Sequence, residues 1–305
     1  MSVVTRPQVS PETPPVLAPR RSPGRRTSPK RLAAYALLGL AAVVFIYPFL
    51  IQIATSFKTD PDAAAHPLSL VPNPFDLTAW KRMFGLTSDA PIPVRLWLGN
   101  SVLVTVVVTA ARVFLDSLAG YALSRLHFRG RGFLFAAVLA VMSVPGVALL
   151  VPKFLIVTYL GIYDTYTAMI LPLIVDAAGV FIMKQFFDSV PISIEEAARM
   201  DGASVFRTFW SVVLPMARPA LITLTILSFQ GSWNEFSHFL VTTQSPEKRT
   251  LVTGLASLTS GERGSGTQFP LKLGAAFLTT IPVALLFFAF QRHFVRGAND
   301  GGVKG

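Results

Sequence analysis

Charged and hydrogen-bonding side chains placed where a chain is otherwise apolar are the ones best able to do chemistry, and three groups of them stand out. Arg112 and Asp116 lie four apart in the hydrophobic run from about Leu98 to Leu123, a spacing at which two helical side chains share a face and neutralise one another. Asp176 lies near the middle of the run from Thr165 to Phe187 with no obvious partner within its own helix, so we expect it to pack against Arg112. A charge at bilayer depth costs a few kcal/mol and faces a cavity or a partner. Gln230, Trp233, Asn234 and Glu235, followed by Ser237 and His238, bring amides, a carboxylate and an aromatic ring into a further run. Planar amide and carboxylate groups satisfy several hydroxyls at once and an aromatic face covers an apolar ring, so this group suits a sugar pathway. It equally suits an interfacial aromatic belt with amides joining helices.

Catalytic patterns are missing from the sequence. His66, His127, His238 and His293 are scattered, with no HExxH or paired-ligand spacing, and no metal site is expected. There is no GxxxxGK[ST] phosphate cradle, so an ATP-driven step would need another subunit, and no cofactor is expected in this chain. With no cysteine, disulfides and thiolate metal sites are excluded.

The stretch from Pro191 to Pro219 has a different character, being the long amphipathic segment between two membrane-length runs. Ser193 with Glu196 reads as a capping box, Glu195 and Glu196 suit the positive end of a helix, and Ala197 and Ala198 let another surface approach closely. Gly202 reads as a left-handed cap and Ser204 as the cap of a second helix, in which Phe206, Phe209, Trp210 and Val213 form one apolar stripe. Pro215 and Pro219 then break the chain. Two short helices meeting at a glycine make a knob suited to a groove on a partner, or a re-entry loop resting on lipid headgroups.

Glu196-Ala197-Ala198, then Gly202, then Leu214-Pro215 match the cytoplasmic EAA loop of ABC importer permeases, and the wording EEAARMDGAS resembles the sugar-uptake branch similar to the maltose permease protein G. Asn100-Ser101, GYALSRLHFRGR, WNEF at 233–236, QRHFVRG at 291–297 and the final GGVKG extend the resemblance over most of 32–305. It implies an all-α membrane protein with the type I ABC importer permease fold, six transmembrane helices and both termini cytoplasmic. It implies an ATPase-docking role for Glu195, Glu196, Ala197, Ala198, Asp201, Gly202, Phe206, Phe209, Trp210, Leu214 and Pro215. It also implies a tail, Gly301, Gly302 and Lys304, that reaches into the ATPase dimer. The expected partners are a companion permease, two ATPase subunits binding ATP and Mg, an extracytoplasmic solute-binding protein that docks on the loops after the first and fifth spans, a sugar and membrane lipid. The expected place is the cytoplasmic membrane of a bacterium or archaeon. Similar permeases serve glycerol phosphate or polyols, so that alternative stays open.

The elements that must position these groups follow from hydropathy. Just over half of the 305 residues are apolar (52%) and only 14% are charged, against roughly 25% in soluble proteins. The net charge of +11 gathers in the first residues and in alternate loops, which fits orientation in a membrane rather than nucleic acid. Residues 1–31, rich in proline and arginine, are expected to be a disordered basic cytoplasmic tail. Spans are expected at Leu32–Thr55, Leu98–Leu123, Gly132–Val151 with Pro145 inside and Pro152 beyond its end, Thr165–Phe187, Ala220–Val241 and Leu271–Phe290. The six-helix domain would cover 32–297 and a cytoplasmic tail 298–305. A short surface helix is expected near Ala79–Phe84 in the outer loop, and an outer turn at Gly161–Asp164. An ion-coupled carrier, with Asp116, Asp176 or Glu235 as coupling carboxylates, and a membrane scaffold that uses the knob only to hold a partner are the readings from other classes.

Overall fold

The computed structural model describes residues 29–86, 93–259 and 268–301, and among these all regular structure is helical. The chain divides into two units, Met1–Pro48 and Phe49–Gly305. Helix α1 (Pro29–Thr55) begins inside the stretch read as a tail, with its proline in the first turn, where a missing N–H costs nothing. Its first part is apolar; Leu37 is 67% and Phe45 75% exposed, as suits a lipid-facing helix.

Within the second unit, α2 (Asp60–Ala65) and α3 (Thr78–Met83) build the segment before the second span, α3 close to the expected surface helix. Helix α4 (Val94–Arg125) starts four residues ahead of expectation and runs through the middle of the packing.

Three of the expected straight spans are broken. In the third, α5 (Arg131–Met142) and the stretch from Gly146 through α6 (Leu150–Tyr159) meet at 104°, because Pro145 sits in an extended conformation and has no N–H to continue the ladder. In the fourth, α7 (Tyr166–Ile170) and a tight turn, Leu171–Leu173, stop short of α8 (Ala177–Ser189). The fifth ends early: α12 (Arg218–Trp233) stops at Asn234 and a separate turn of helix, α13 (Ser237–Thr242), follows.

Between α8 and α12 lie α9 (Ile192–Met200), α10 (Val205–Thr208), a widened turn at Phe209–Val213 and α11 (Leu214–Met216). The chain closes with α14 (Leu251–Thr259) and α15 (Phe269–Gly301), which runs into the stretch read as a tail. By length and composition, four described helical stretches can cross a membrane, α7 through α8 counted as one, or up to six spans if the pair bent by 104° and the pair formed by Val205–Met216 and α12, bent by 82°, each count as one.

Helices α4 and α8 approach closely because Gly120 has no side chain. A Cβ there would lie 2.7 Å from the Cβ of Met183 and 2.9 Å from the backbone nitrogen of Lys184. Around this contact Tyr121, Met183, Phe187, Phe209, Val213 and Leu224 form a buried cluster that ties the loop after α8 to the spans.

Candidate functional site

The amphipathic loop is built on Glu195. Helix α9 starts at Ile192 with Pro191 in the capping position, so Ser193 is already inside and the capping box expected from Ser193 and Glu196 does not form. That start turns Glu195 inward: it is 1% exposed, whereas Glu196, Ala197 and Met200 face out, Met200 at 88%. Arg125 Nε stands 2.9 Å from one Glu195 oxygen, and the Tyr121 hydroxyl donates to the other at 3.1 Å. Arg199, one turn on, lies at 3.9 Å. Arg125 also donates from Nη2 to the carbonyls of Phe187 and Val190 at the C-terminus of α8, where the Phe187 carbonyl also accepts the Val190 N–H. One arginine thus joins the end of α8 to the start of α9. Glu195, grouped with the ATPase-facing residues in the sequence, is instead an internal anchor.

The glycine turn forms as read. Gly202 has φ 79°, its N–H bonds the Arg199 carbonyl at 2.9 Å, and the Ala203 N–H reaches back to Ala198 at 2.9 Å, the paired closure of a left-handed cap. Asp201 and Gly202 are exposed. Ser204 caps α10 by accepting from the Arg207 N–H at 3.3 Å. The turn at Phe209–Val213 is wider than an α-helix, which makes room for the Pro215 ring against the carbonyl four residues earlier.

The widening divides the expected stripe. Phe209 and Val213 enter the core, while Phe206 (62% exposed) and Trp210 (51%) stay outside, stacked at 6.3 Å between ring centroids. Leu214 is half-buried and Pro215 exposed.

The intramembrane charges pair differently from expectation. Neither Arg112 with Asp116 nor Arg112 with Asp176 is within ion-pair distance. Arg112 Nε donates to the Leu173 carbonyl at 2.5 Å, and one oxygen of Asp116 accepts the backbone N–H of Asp176 at 3.0 Å. Asp176 itself, in an extended conformation, caps α8 by accepting the Gly179 N–H at 3.2 Å. Its partner is therefore the backbone of its own segment, because the break supplies an open helix end.

In the third group, Trp233 is 2% exposed, donates to the Thr279 carbonyl at 2.9 Å and stacks on Phe229. It is available neither to a sugar nor to an interfacial belt. Gln230 and Asn234 are exposed, Asn234 bonding the Gln230 carbonyl at 3.0 Å. Glu235 accepts the His238 N–H at 2.9 Å and so starts α13. Gly301 is the last residue of α15, and Gly302 and Lys304 lie outside the described residues.

Two working groups escaped the sequence reading. Tyr121 and Arg125 stand four apart at the end of α4, and that spacing was the available signal. On the opposite end of α4, Asn100 donates to the carbonyls of Glu247 (2.7 Å) and Arg249 (2.9 Å) and Trp97 to that of Pro246 (2.9 Å). Asp164 holds the same loop from the turn before α7. It accepts the N–H groups of Gln244 and Ser245 and the Ser245 hydroxyl, with Lys248 beside it. Burial raises its pKa, but these donors outweigh that and hold the carboxyl far below the ordinary carboxylate range.

A bared helix is thus tied through Arg125 to α4 and α8. A profile described as "Binding-protein-dependent transport system inner membrane component" matches residues 113–299. The chain is 34% identical to the arabinooligosaccharides transport system permease protein AraQ of Halalkalibacterium halodurans, over 92% of this chain and 99% of that one. It is 34% identical to the polygalacturonan/rhamnogalacturonan transport system permease protein YtcP of Bacillus subtilis, over 89% and 96%. A chain from the crystal structure of a bacterial ABC transporter involved in the import of the acidic polysaccharide alginate superposes with a TM-score of 0.74 at 25% identity, covering 91% of this chain and 100% of that one. With its several apolar helices, a bared loop helix anchored to two of them, and relatives that are transport permeases rather than enzymes, this multi-pass membrane chain belongs to the binding-protein-dependent transport system inner membrane components, the permeases of ABC importers.

Proposed function

We propose that this chain forms one half of the translocation pathway of an ATP-driven importer of a sugar or oligosaccharide, and that α9 with its glycine turn is gripped by an ATPase subunit. The observation that carries the coupling role is the division of α9 into two faces. Glu195 locks one face to Tyr121 and Arg125, while Glu196, Ala197 and Met200 leave the other bare. A mechanical link needs both properties, a rigid tie inward and a free surface outward. Glu196 offers a charge to an ATPase arginine, Gly202 sets the turn, and Phe206 with Trp210 offers an aromatic ledge; Phe209 serves the core. The saccharide as cargo is supported by what AraQ, YtcP and the alginate importer are said to carry.

The rest of the assembly follows from this role. A companion permease completes the pathway, two ATPase subunits bind ATP and Mg, and a solute-binding protein delivers cargo from outside. Closure of the ATPase dimer draws the two coupling loops together, α8 and α4 follow, and the cavity turns outward. The loop and both termini lie in the cytoplasm. Asp116, Asp176 and Glu235 each hold a backbone N–H, which fits structural work better than ion coupling.

The test is co-purification of candidate ATPase subunits with the parent, Glu196→Lys and Gly202→Asp chains, alongside uptake. ATPase recovery should fall in both variants while the chain itself remains in the membrane. Unchanged recovery and uptake in both would remove the coupling role.

A further inference from the structure

A helix interrupted inside a membrane leaves carbonyls open at the end of its first half and N–H groups open at the start of its second, and lipid can satisfy neither. In the fourth span these groups are at Leu173 and Asp176, on either side of the interruption between the Leu171–Leu173 turn and α8. Arg112, a donor, takes the Leu173 carbonyl, and Asp116, an acceptor, takes the Asp176 N–H. Each side chain is of the sign that its helix end favours. Both come from α4, one turn apart.

The fit is close on the acid side. Asp116 is fully buried, and a Cβ on Gly179 would come within 2.1 Å of its second oxygen, so the carboxylate reaches α8 only because residue 179 is glycine. That second oxygen has no hydrogen-bond partner, so one backbone N–H alone ties this carboxylate to α8.

The same face of α4 continues toward the coupling loop. Gly120 leaves no room for a side chain against Met183, Ser124 donates to Asp188 at 2.6 Å, and Arg125 ties α8 to α9. Contacts are therefore dense at the loop end of α8, and at its membrane end the two side chains from α4 bond the backbone on either side of the gap.

We propose that Arg112 and Asp116 are positioning residues, a two-pronged staple that holds the break at residues 174–176 as the hinge about which α8 and the coupling helix swing when nucleotide binds. The proposal rests on the coupling role given to α9. Movement of the loop must be absorbed somewhere along α8, and the break is the place where the backbone is not laddered to itself. The staple keeps the open groups satisfied and fixes one of the hinge's two arrangements.

The test uses the complete complex of this chain with its companion and ATPase subunits in nanodiscs. Because the chain has no cysteine, a single Leu227→Cys, at an exposed site on α12 outside the polar group, reports the opening of the membrane face to a charged maleimide. Trapping with ATP and vanadate should change the labelling rate about fivefold or more in the parent, within the span by which residues along a coupling route alter coupling. Arg112→Met and Asp116→Leu should cut that response to less than about twofold with ATPase recovery unchanged, and Arg112→Lys and Asp116→Asn, which keep a donor and an acceptor, should restore it. A parent-like response in Arg112→Met and Asp116→Leu overturns the staple, as does Asp116→Asn behaving like Asp116→Leu. If the two apolar variants do not assemble, hydrogen exchange on the unmodified complex decides. Peptides over 171–178 should exchange at different rates with and without trapped nucleotide while those over 179–195 do not, and equal exchange at 171–178 overturns the hinge. Failure of the coupling role reads differently, as ATPase recovery and nucleotide response that survive Glu196→Lys.

Discussion

Glu195 and Glu196 are neighbours in sequence and should behave as opposites. Glu195 is 1% exposed and Arg125 10% at the side chain, so removing the carboxylate breaks a buried pair, a loss that commonly costs about 3–5 kcal/mol. Arg125 keeps the Phe187 and Val190 carbonyls, which moves the cost toward the lower end, and the Tyr121 hydroxyl loses its acceptor, worth about 1 kcal/mol. Glu195→Ala should therefore lose about 3 kcal/mol, or roughly 6 °C or more in Tm at about 2 °C per kcal/mol for a chain of this size. Glu196 is exposed, so Glu196→Ala should stay within about 0.5 kcal/mol. The assay is thermal melting of the chain purified in detergent without partners, followed by ATPase recovery for each variant. Glu195→Ala should melt early, and Glu196→Ala should melt like the parent yet lose recovery. Replacing the pair together, with Arg125→Met and Glu195→Leu, should regain part of the stability. Equal melting of the two single variants would refute the inward anchor.

Four further outcomes follow from the geometry. Gly202→Val forces a β-branched residue to φ 79° with nothing within 4 Å to clash, so it should cost about 1–2 kcal/mol through backbone strain alone, and Gly202→Asn should cost less; melting of the pair checks the order. Gly254→Ala would place a Cβ 2.2 Å from the Trp97 ring and should lower stability by about 1–3 kcal/mol, read as a lower Tm. Since the Asp164 carboxyl titrates lower in the folded chain than in the unfolded one, its contribution is whole above the unfolded value near 4 and fades as pH falls below it. The Tm gap between parent and Asp164→Asn should accordingly be constant from pH 7 to about 5 and narrow below about 4. Trp233→Phe removes the bond to Thr279 and should cost about 1 kcal/mol of stability while uptake per assembled complex keeps the parent KM, in contrast to Gln230→Ala and Asn234→Ala.

The loop from Pro191 to Pro219 was the most legible part of the sequence, because its signals are local. Gly202 and Ser204 take the backbone roles their residue types favour, whereas Pro215, expected to break the chain, sits inside α11 behind a widened turn, and the break comes at Ala217. What the sequence did not declare was which face of α9 turns inward. Adjacent helical residues point about 100° apart, so Glu195 and Glu196 cannot both turn inward, and the helix, starting at Ile192 two residues ahead of a Ser193 cap, buries Glu195. The deciding partner, Arg125, lies 70 positions away at the end of another helix.

The breaks within the spans were hidden for a more general reason. Hydropathy sums the transfer of side chains and takes no account of whether the backbone between them is one helix or two. Yet the fourth span carried the information in another form. Pro172 disfavours helix at the residue before it, and Asp176 followed by Ala177, Ala178 and Gly179 is the pattern of a cap and a first turn that admits a close neighbour. Read as one straight helix, the run holds a carboxylate at depth with no partner, at a cost of a few kcal/mol. Read as two, the same carboxylate accepts an N–H that the second helix must offer in any case. The second reading turns a penalty into a cap, and it does the same for α4: Arg112 and Asp116 need not neutralise each other once a neighbouring backbone has a carbonyl and an N–H to give them. A lone acid in an apolar run, facing an arginine and an aspartate four apart in an earlier run, thus points to an interruption and to the two groups that close it.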